Sequence, residues 1–149
     1  MNLRPLFRAE ITLAAPQELG ATPLGRRRVI PITGGSFSGE RLSGRVLPGG
    51  ADWQVIRADG VADLDARYTL QTGEGALIYV RNKGYRHGPD EVMKRLAAGE
   101  AVDPTLYYMR TTPWFETGDS RYAWLNRIVC LGTGARLASS VELEIHEVT

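Results

Sequence analysis

Hydrophobic and polar residues alternate along most of this chain. Phe7, Ala9, Ile11 and Leu13 are spaced by Arg8, Glu10 and Thr12, the period-two repeat of a strand with one face buried. Comparable segments follow at Arg26–Ile32, Leu42–Leu47, Asp52–Ala58, Val61–Leu70 and Ala76–Asn82. Pro48-Gly49-Gly50, Asp59-Gly60 and Gly73-Glu74-Gly75 separate them as tight turns, and Ala14–Gly25, rich in proline and glycine, predicts a loop. Gly34-Gly35-Ser36-Phe37-Ser38-Gly39 holds too much glycine for a regular strand interior and predicts a bulge, a bend or a close backbone approach. One helix interrupts the pattern. Pro89 opens it, Asp90 and Glu91 occupy its first turn, Lys94 and Arg95 come later, and Gly99 stops it. The remainder predicts a strand over Leu106–Thr112, a loop over Pro113–Ser120, a strand over Tyr122–Leu131, a turn at Gly132-Thr133-Gly134 and a last strand over Ala135–Glu147. Short strands joined by tight turns predict an all-β protein, a single antiparallel sandwich or barrel with one short helix.

Composition narrows this only at the edges. At 149 residues the chain fits one domain, spanning residues 1–149. A net charge of +1 provides no field to draw it to nucleic acid or to a membrane surface, and neither partner is expected. Cys130 is the single cysteine, so no intramolecular disulfide forms, and a reducing cytoplasmic compartment is expected. His87 and His146, with that one cysteine, give no zinc-ligand spacing, and no P-loop or dinucleotide-binding fingerprint is present. No metal or cofactor is therefore expected.

The densest chemistry lies between residues 107 and 126. Tyr107, Tyr108, Trp114, Phe115, Tyr122 and Trp124 stand among Arg110, Glu116, Asp119, Arg121 and Asn126. Rings interleaved with fixed charges suit the wall of a small-molecule pocket. Four spaced motifs carry a wider likeness. They are Gly34-Gly35-Ser36-Phe37-Ser38-Gly39, Leu47-Pro48-Gly49-Gly50-Ala51-Asp52-Trp53, Asp65-Ala66-Arg67-Tyr68 and the run from Phe115 to Asn126. With these motifs the whole chain resembles the DUF3237 family, also called UPF0311. The resemblance implies a closed antiparallel β-barrel, calycin-like and similar to the allene oxide cyclase and dirigent barrels. Barrels of that kind bind small hydrophobic or aromatic molecules, and several guide cyclisation without a cofactor.

A barrel gives the alternating residues a lumen to face. Asp65 and Arg67 share one face of a strand whose other face carries Leu64, Ala66, Tyr68 and Leu70. Tyr79 and Arg81 alternate in the same way with Ile78 and Val80. If the apolar faces are covered from outside, the polar faces enter the lumen. On that reading Asp65 and Glu116 are the candidate proton-transfer residues, since a carboxylate among rings is desolvated and its pKa rises. Arg67 and Arg81 are candidate clamps for an anion or carbonyl. Trp53, Arg57, Tyr79, Arg121, Tyr122, Trp124 and Asn126 complete the substrate-binding set. A structural reading competes at each position: a solvated outer face for Asp65 and Arg67, a loop-shaping ion pair for Glu116 with Arg121, and core packing for Tyr122 and Trp124. Asp52, at a strand start beside Trp53, reads as a turn contact rather than as a pocket carboxylate. Covering apolar strand faces from outside would also require a second copy of the chain, so a homo-oligomer, a dimer, is expected. The function expected is that of an acid–base enzyme needing no cofactor, an isomerase, cyclase or lyase. Its substrate would be a small aromatic or carbonyl-bearing compound. The alternative is a non-catalytic carrier using the same lumen.

Overall fold

The computed structural model describes residues 1–149. Its strands are β1 (Leu3–Leu13), β2 (Gln17–Thr22), β3 (Gly25–Ser38), β4 (Ser43–Val46), β5 (Ala51–Ile56), β6 (Ala62–Thr72), β7 (Leu77–His87), β8 (Tyr108–Glu116), β9 (Cys130–Arg136) and β10 (Ser140–Val148). The helix α1 (Asp90–Ala97) lies between β7 and β8, and two 3-10 segments, Pro104–Leu106 and Ser120–Arg127, flank β8. All pairings are antiparallel, and the pairing of β1 with both β10 and β3 closes the sheet into a barrel. The wall has eight positions. β4 and β5 share one of them end to end, because both pair with β3 on one side and β6 on the other. β2 pairs only with the start of β3. No helix is long and apolar enough to cross a membrane.

The apolar faces turn inward. Phe7, Ala9 and Ile11 of β1, Leu64, Tyr68 and Leu70 of β6, Ile78 and Val80 of β7, and Leu143 and Ile145 of β10 are all buried. Each such aliphatic or aromatic side chain contributes about 1.5–3 kcal/mol relative to exposure. Placing Asp65 and Arg67 inside instead would forfeit that gain and enclose charges. Closing β3 on β1 requires glycine: a Cβ on Gly35, whose φ is +134°, would lie 2.0 Å from the Glu10 carbonyl oxygen. A second, smaller core joins Leu96 of α1 to Ala62, Leu64, Val102, Tyr107 and Met109, so the helix sits across one end of the barrel.

Several segments differ from the sequence expectation. β2 lies inside the expected loop at 14–25, held by its hairpin to β3 rather than by any apolar repeat. The glycine segment, by contrast, behaves as expected: β3 stays one strand, but its register with β1 slips between Gly34 and Ile32, and Gly35 makes a close backbone approach to Glu10. β8 continues through Pro113, beyond the short β8–β9 ladder that pairs only Arg110 with Thr133 and Thr111 with Gly132. The expected strand over Tyr122–Leu131 is mostly the 3-10 segment Ser120–Arg127, which buries Tyr122 and Leu125, three residues apart. Asp119 caps that segment, its Oδ1 accepting from the Arg121 N–H at 2.9 Å. The expected turn at 132–134 lies within β9.

Candidate functional site

The barrel interior is a core at one end and a cavity at the other. The cavity, about 60 Å³, is lined by sixteen residues, ten of them hydrophobic. Since a water needs only about 10–15 Å³ on this measure, the space admits a small organic group or several waters. Ile11, Leu13, Ile30, Ile32, Leu64, Tyr68 and Leu143 give apolar wall, while Asp52, Gln54, Asn82, Arg86, Thr111 and Arg136 bring polar groups in. Register explains the convergence. Asp52 pairs with Ala66, Ala66 with Asn82 and Asn82 with Pro113, so these residues share the inward face. Arg86 pairs with Ala62 and Met109 nearer the mouth. Glycines in β9 keep the space open. A Cβ on Gly132 would come within 2.5 Å of Thr111 Oγ1, and one on Gly134 within 2.7 Å of Met109 Sδ. Arg86 and Arg136 also line a wider cleft of about 360 Å³ between the barrel mouth and α1, with Arg26, Arg28 and Lys94.

Burial controls the electrostatics here. Desolvation raises the Asp52 pKa above its usual value of 3.8. The Asp65 N–H donates to Asp52 Oδ1 at 2.9 Å and Gln54 Nε2 donates to Oδ2 at 3.2 Å, and with the positive charge of Arg86 these contacts offset part of that rise. Burial first, and then the charge of Arg136, lowers the pKa of Arg86 to about 10. Burial and the charge of Arg28 lower that of Arg136. Arg28 itself donates to Glu18 at 2.9 Å and to Gln54 Oε1 at 3.2 Å. Three polar atoms of this lining are enclosed without a hydrogen-bond partner: Asn82 Oδ1, Thr111 Oγ1 and Arg136 Nη1. A carboxyl poised to hold a proton near two half-buried guanidiniums can exchange protons with a ligand and stabilise negative charge on it.

The expected convergence of Asp65, Arg67, Tyr79, Arg81, Glu116 and Asn126 inside the barrel does not occur. Asp65 lies on the outer face of β6, its carboxylate 3.5 Å from Arg67 Nη2 and 3.6 Å from Arg81 Nε, with both arginine side chains 45% exposed. Tyr79, Arg81, Glu116 and Asn126 do meet, but in an open surface depression beside Trp114. A one-residue change of face moves every side chain of a strand across the wall, which is why these candidates moved together. Trp53 is exposed, and its carbonyl accepts from Arg27 Nη1 at 2.8 Å. Arg57 pairs with Asp59 at a hairpin. Arg121 grips Asp119 through Nε and Nη2 at 3.0 and 2.8 Å, and its Nη1 is 4.0 Å from Glu74; Glu116 has no part in these contacts. Tyr122 is buried in the core, and its hydroxyl donates to Glu74 Oε2 at 2.6 Å. Trp124 lies under Arg41, whose guanidinium carbon is 4.1 Å from the ring centroid. Asn126 clamps the backbone of Thr117, accepting from its N–H at 2.8 Å and donating to its carbonyl at 3.0 Å. The apolar faces that would have needed an outside partner are the core itself.

Sequence reasoning set Asp52 aside and missed Asn82, Arg86, Thr111 and Arg136. A signal existed. Asn82 and Arg86 continue the apolar side of the β7 alternation begun by Ile78 and Val80, and a polar residue on an apolar face is the informative exception.

The family model described as "Protein of unknown function (DUF3237)" matches residues 1–148. The chain belongs to the DUF3237 family. It is 47% identical over 129 residues to a UPF0311 protein of Rhodopseudomonas palustris strain TIE-1, covering 87% of this chain and 84% of that protein. A UPF0311 protein of Clostridium acetobutylicum is 40% identical over 150 residues, covering 100% of this chain and 95% of the relative. Among solved structures, a beta-barrel like protein of Acinetobacter baumannii AYE superposes with a TM-score of 0.87 at 46% identity, over 99% of this chain and 96% of that one. A more distant relative is the hydroalkoxylation enzyme of Penicillium herquei, 26% identical over 147 residues, 99% of this chain and 83% of the enzyme. The crystal structure of an enzyme from that fungus superposes with a TM-score of 0.70 at 25% identity, over 97% of this chain and 93% of the other.

Proposed function

We propose that this DUF3237 protein is an acid–base enzyme that needs no cofactor and takes a small aromatic or carbonyl-bearing compound into the barrel lumen. The observation that carries the reading is Asp52: a carboxyl with a raised pKa, fixed by two hydrogen bonds, on the wall of a mostly apolar cavity. Such a group holds a proton nearer to neutral pH than an exposed aspartate does and can pass it to carbon or oxygen. Arg86 and Arg136 would stabilise the oxyanion of an enolate or phenolate formed as that proton moves. Tyr68, whose hydroxyl burial keeps protonated, contributes ring surface and a hydroxyl. Isomerisation, cyclisation and addition–elimination all fit this set. The likeness to a hydroalkoxylation enzyme supports the same class, because adding O–H across a double bond moves a proton from oxygen to carbon without net oxidation.

The test begins with a turnover screen of hydroxylated aromatic and carbonyl compounds. On a compound so found, Asp52→Asn is expected to lower kcat by about 10²–10⁴-fold with binding retained, the usual contribution of a positioned acid or base. A lumen that binds such compounds and turns over none of them would support the carrier reading instead.

A further inference from the structure

We infer that the lumen selects a small organic carboxylate, with its charged end between Arg86 and Arg136 and its apolar body against Ile11, Leu64 and Tyr68. This deepens the proposed function and rests on its placing of the ligand in the lumen.

The argument begins with charge. Arg86 and Arg136 face Asp52 across the cavity lining, two cations to one carboxylate. Arg28, at the mouth, is already engaged by Glu18 and Gln54. Elsewhere on the molecule arginines are commonly paired: Arg8 with Glu144, Arg41 with Glu147, Arg57 with Asp59, Arg121 with Asp119. None of the ion pairs includes Arg86 or Arg136. One guanidinium donor, Arg136 Nη1, is withdrawn from water and left unspent, which is costly, while the donors of half-buried Arg86 are free of any protein partner. One added negative charge balances the set. A phosphate dianion would overshoot, and a neutral carbonyl would leave the excess cation.

Geometry and chemistry then refine the charge. A guanidinium presents parallel N–H groups that match the two oxygens of a carboxylate. Arg136 Nη1 is enclosed without a partner. Asn82 Oδ1 and Thr111 Oγ1, on residues only 4% exposed, are equally unpartnered and line the same space. Both can accept from a hydroxyl carried on the ligand. The rest of the lining is largely apolar and suits a ring.

The test uses defined probes on the whole protein at pH 7 and constant ionic strength, with sodium chloride as the reference. Thermal unfolding and calorimetry follow formate, acetate, benzoate and 4-hydroxybenzoate, against neutral benzamide and inorganic phosphate. At least one carboxylate is expected to raise Tm saturably, benzoate above acetate and 4-hydroxybenzoate above benzoate, with benzamide weaker. Arg86→Met and Arg136→Met should each weaken benzoate binding by at least about tenfold, as loss of one partner of an enclosed charge contact does. Arg81→Met, on the outer face, should leave it unchanged. If the lumen variants do not fold, arginine side-chain NMR on the wild-type protein replaces them, with the Arg86 and Arg136 resonances moving on benzoate addition and that of Arg81 staying. The inference is overturned by any of four results: no saturable response to any carboxylate, equal response to benzamide, preference for phosphate, or unchanged affinity in both lumen variants. Asp52→Asn keeps the two claims apart. Carboxylate binding with turnover indifferent to Asp52→Asn retains the clamp and discards the acid–base role. Asp52-dependent turnover without carboxylate binding does the reverse.

Discussion

At the scale of single residues, Asp52 carries the largest consequences. Desolvation raises its folded-state pKa above the value in the unfolded chain. Between those two values the folded state binds more protons, so stability falls as pH rises. Above the folded-state value the cost of the enclosed charge is present in full. Asp52→Asn removes this dependence, and its stability relative to wild type should therefore grow from pH 4 to pH 7 in urea unfolding. A constant difference would place the carboxyl in contact with water. The outer residues give the complementary expectation. Glu116→Gln alters solvated surface and should shift stability by no more than about 0.5 kcal/mol, with turnover retained. Asn126→Ala should instead cost about 1–3 kcal/mol by the same assay, because it frees the backbone of half-buried Thr117 from both of its amide contacts.

At the scale of elements, α1 docks across one end of the barrel through a single buried side chain. Leu96 is the one buried residue of that helix, and Leu96→Ala should destabilise by about 2–5 kcal/mol if the helix stays docked. A helix held so narrowly can also open by itself. Hydrogen exchange on the variant should then show α1 amides losing protection while β6 and β7 keep theirs, and uniform loss would mean that the helix and barrel unfold as one. The strands and the helix were legible in the sequence because alternation, turn dipeptides and capping residues are local. β2 and the course of β9 through Gly132 and Gly134 were not, since pairing with β3 and clearance for Thr111 and Met109 are made by distant residues. The 3-10 segment at Ser120–Arg127 could have been found from Asp119 and the Tyr122–Leu125 spacing.

At the scale of the molecule, the barrel decides what alternation leaves open. Period two says that Asp65, Arg67, Tyr79 and Arg81 share a side of the wall; it does not say which side. Burial of Leu64, Tyr68, Ile78 and Val80 outweighs any polar network their neighbours could form inside. The lumen is then polar only where a polar residue interrupts an apolar face, at Asp52, Gln54, Asn82, Arg86, Thr111 and Arg136. The family motif around Asp52 and Trp53 thus marks the site through its aspartate, while the motif around Asp65 builds the outside and lends Asp52 a backbone N–H.

The account stands on Asp52 being an enclosed carboxyl held near a half-buried cation. Carbon-13 NMR titration of the aspartate carboxyls, in wild type and in Arg86→Met, measures this directly and needs no ligand. The account predicts that Asp52 titrates above the usual aspartate value of about 3.9 and moves higher still when Arg86 is neutralised. An Asp52 carboxyl titrating at or below that value, and indifferent to Arg86, would contradict it.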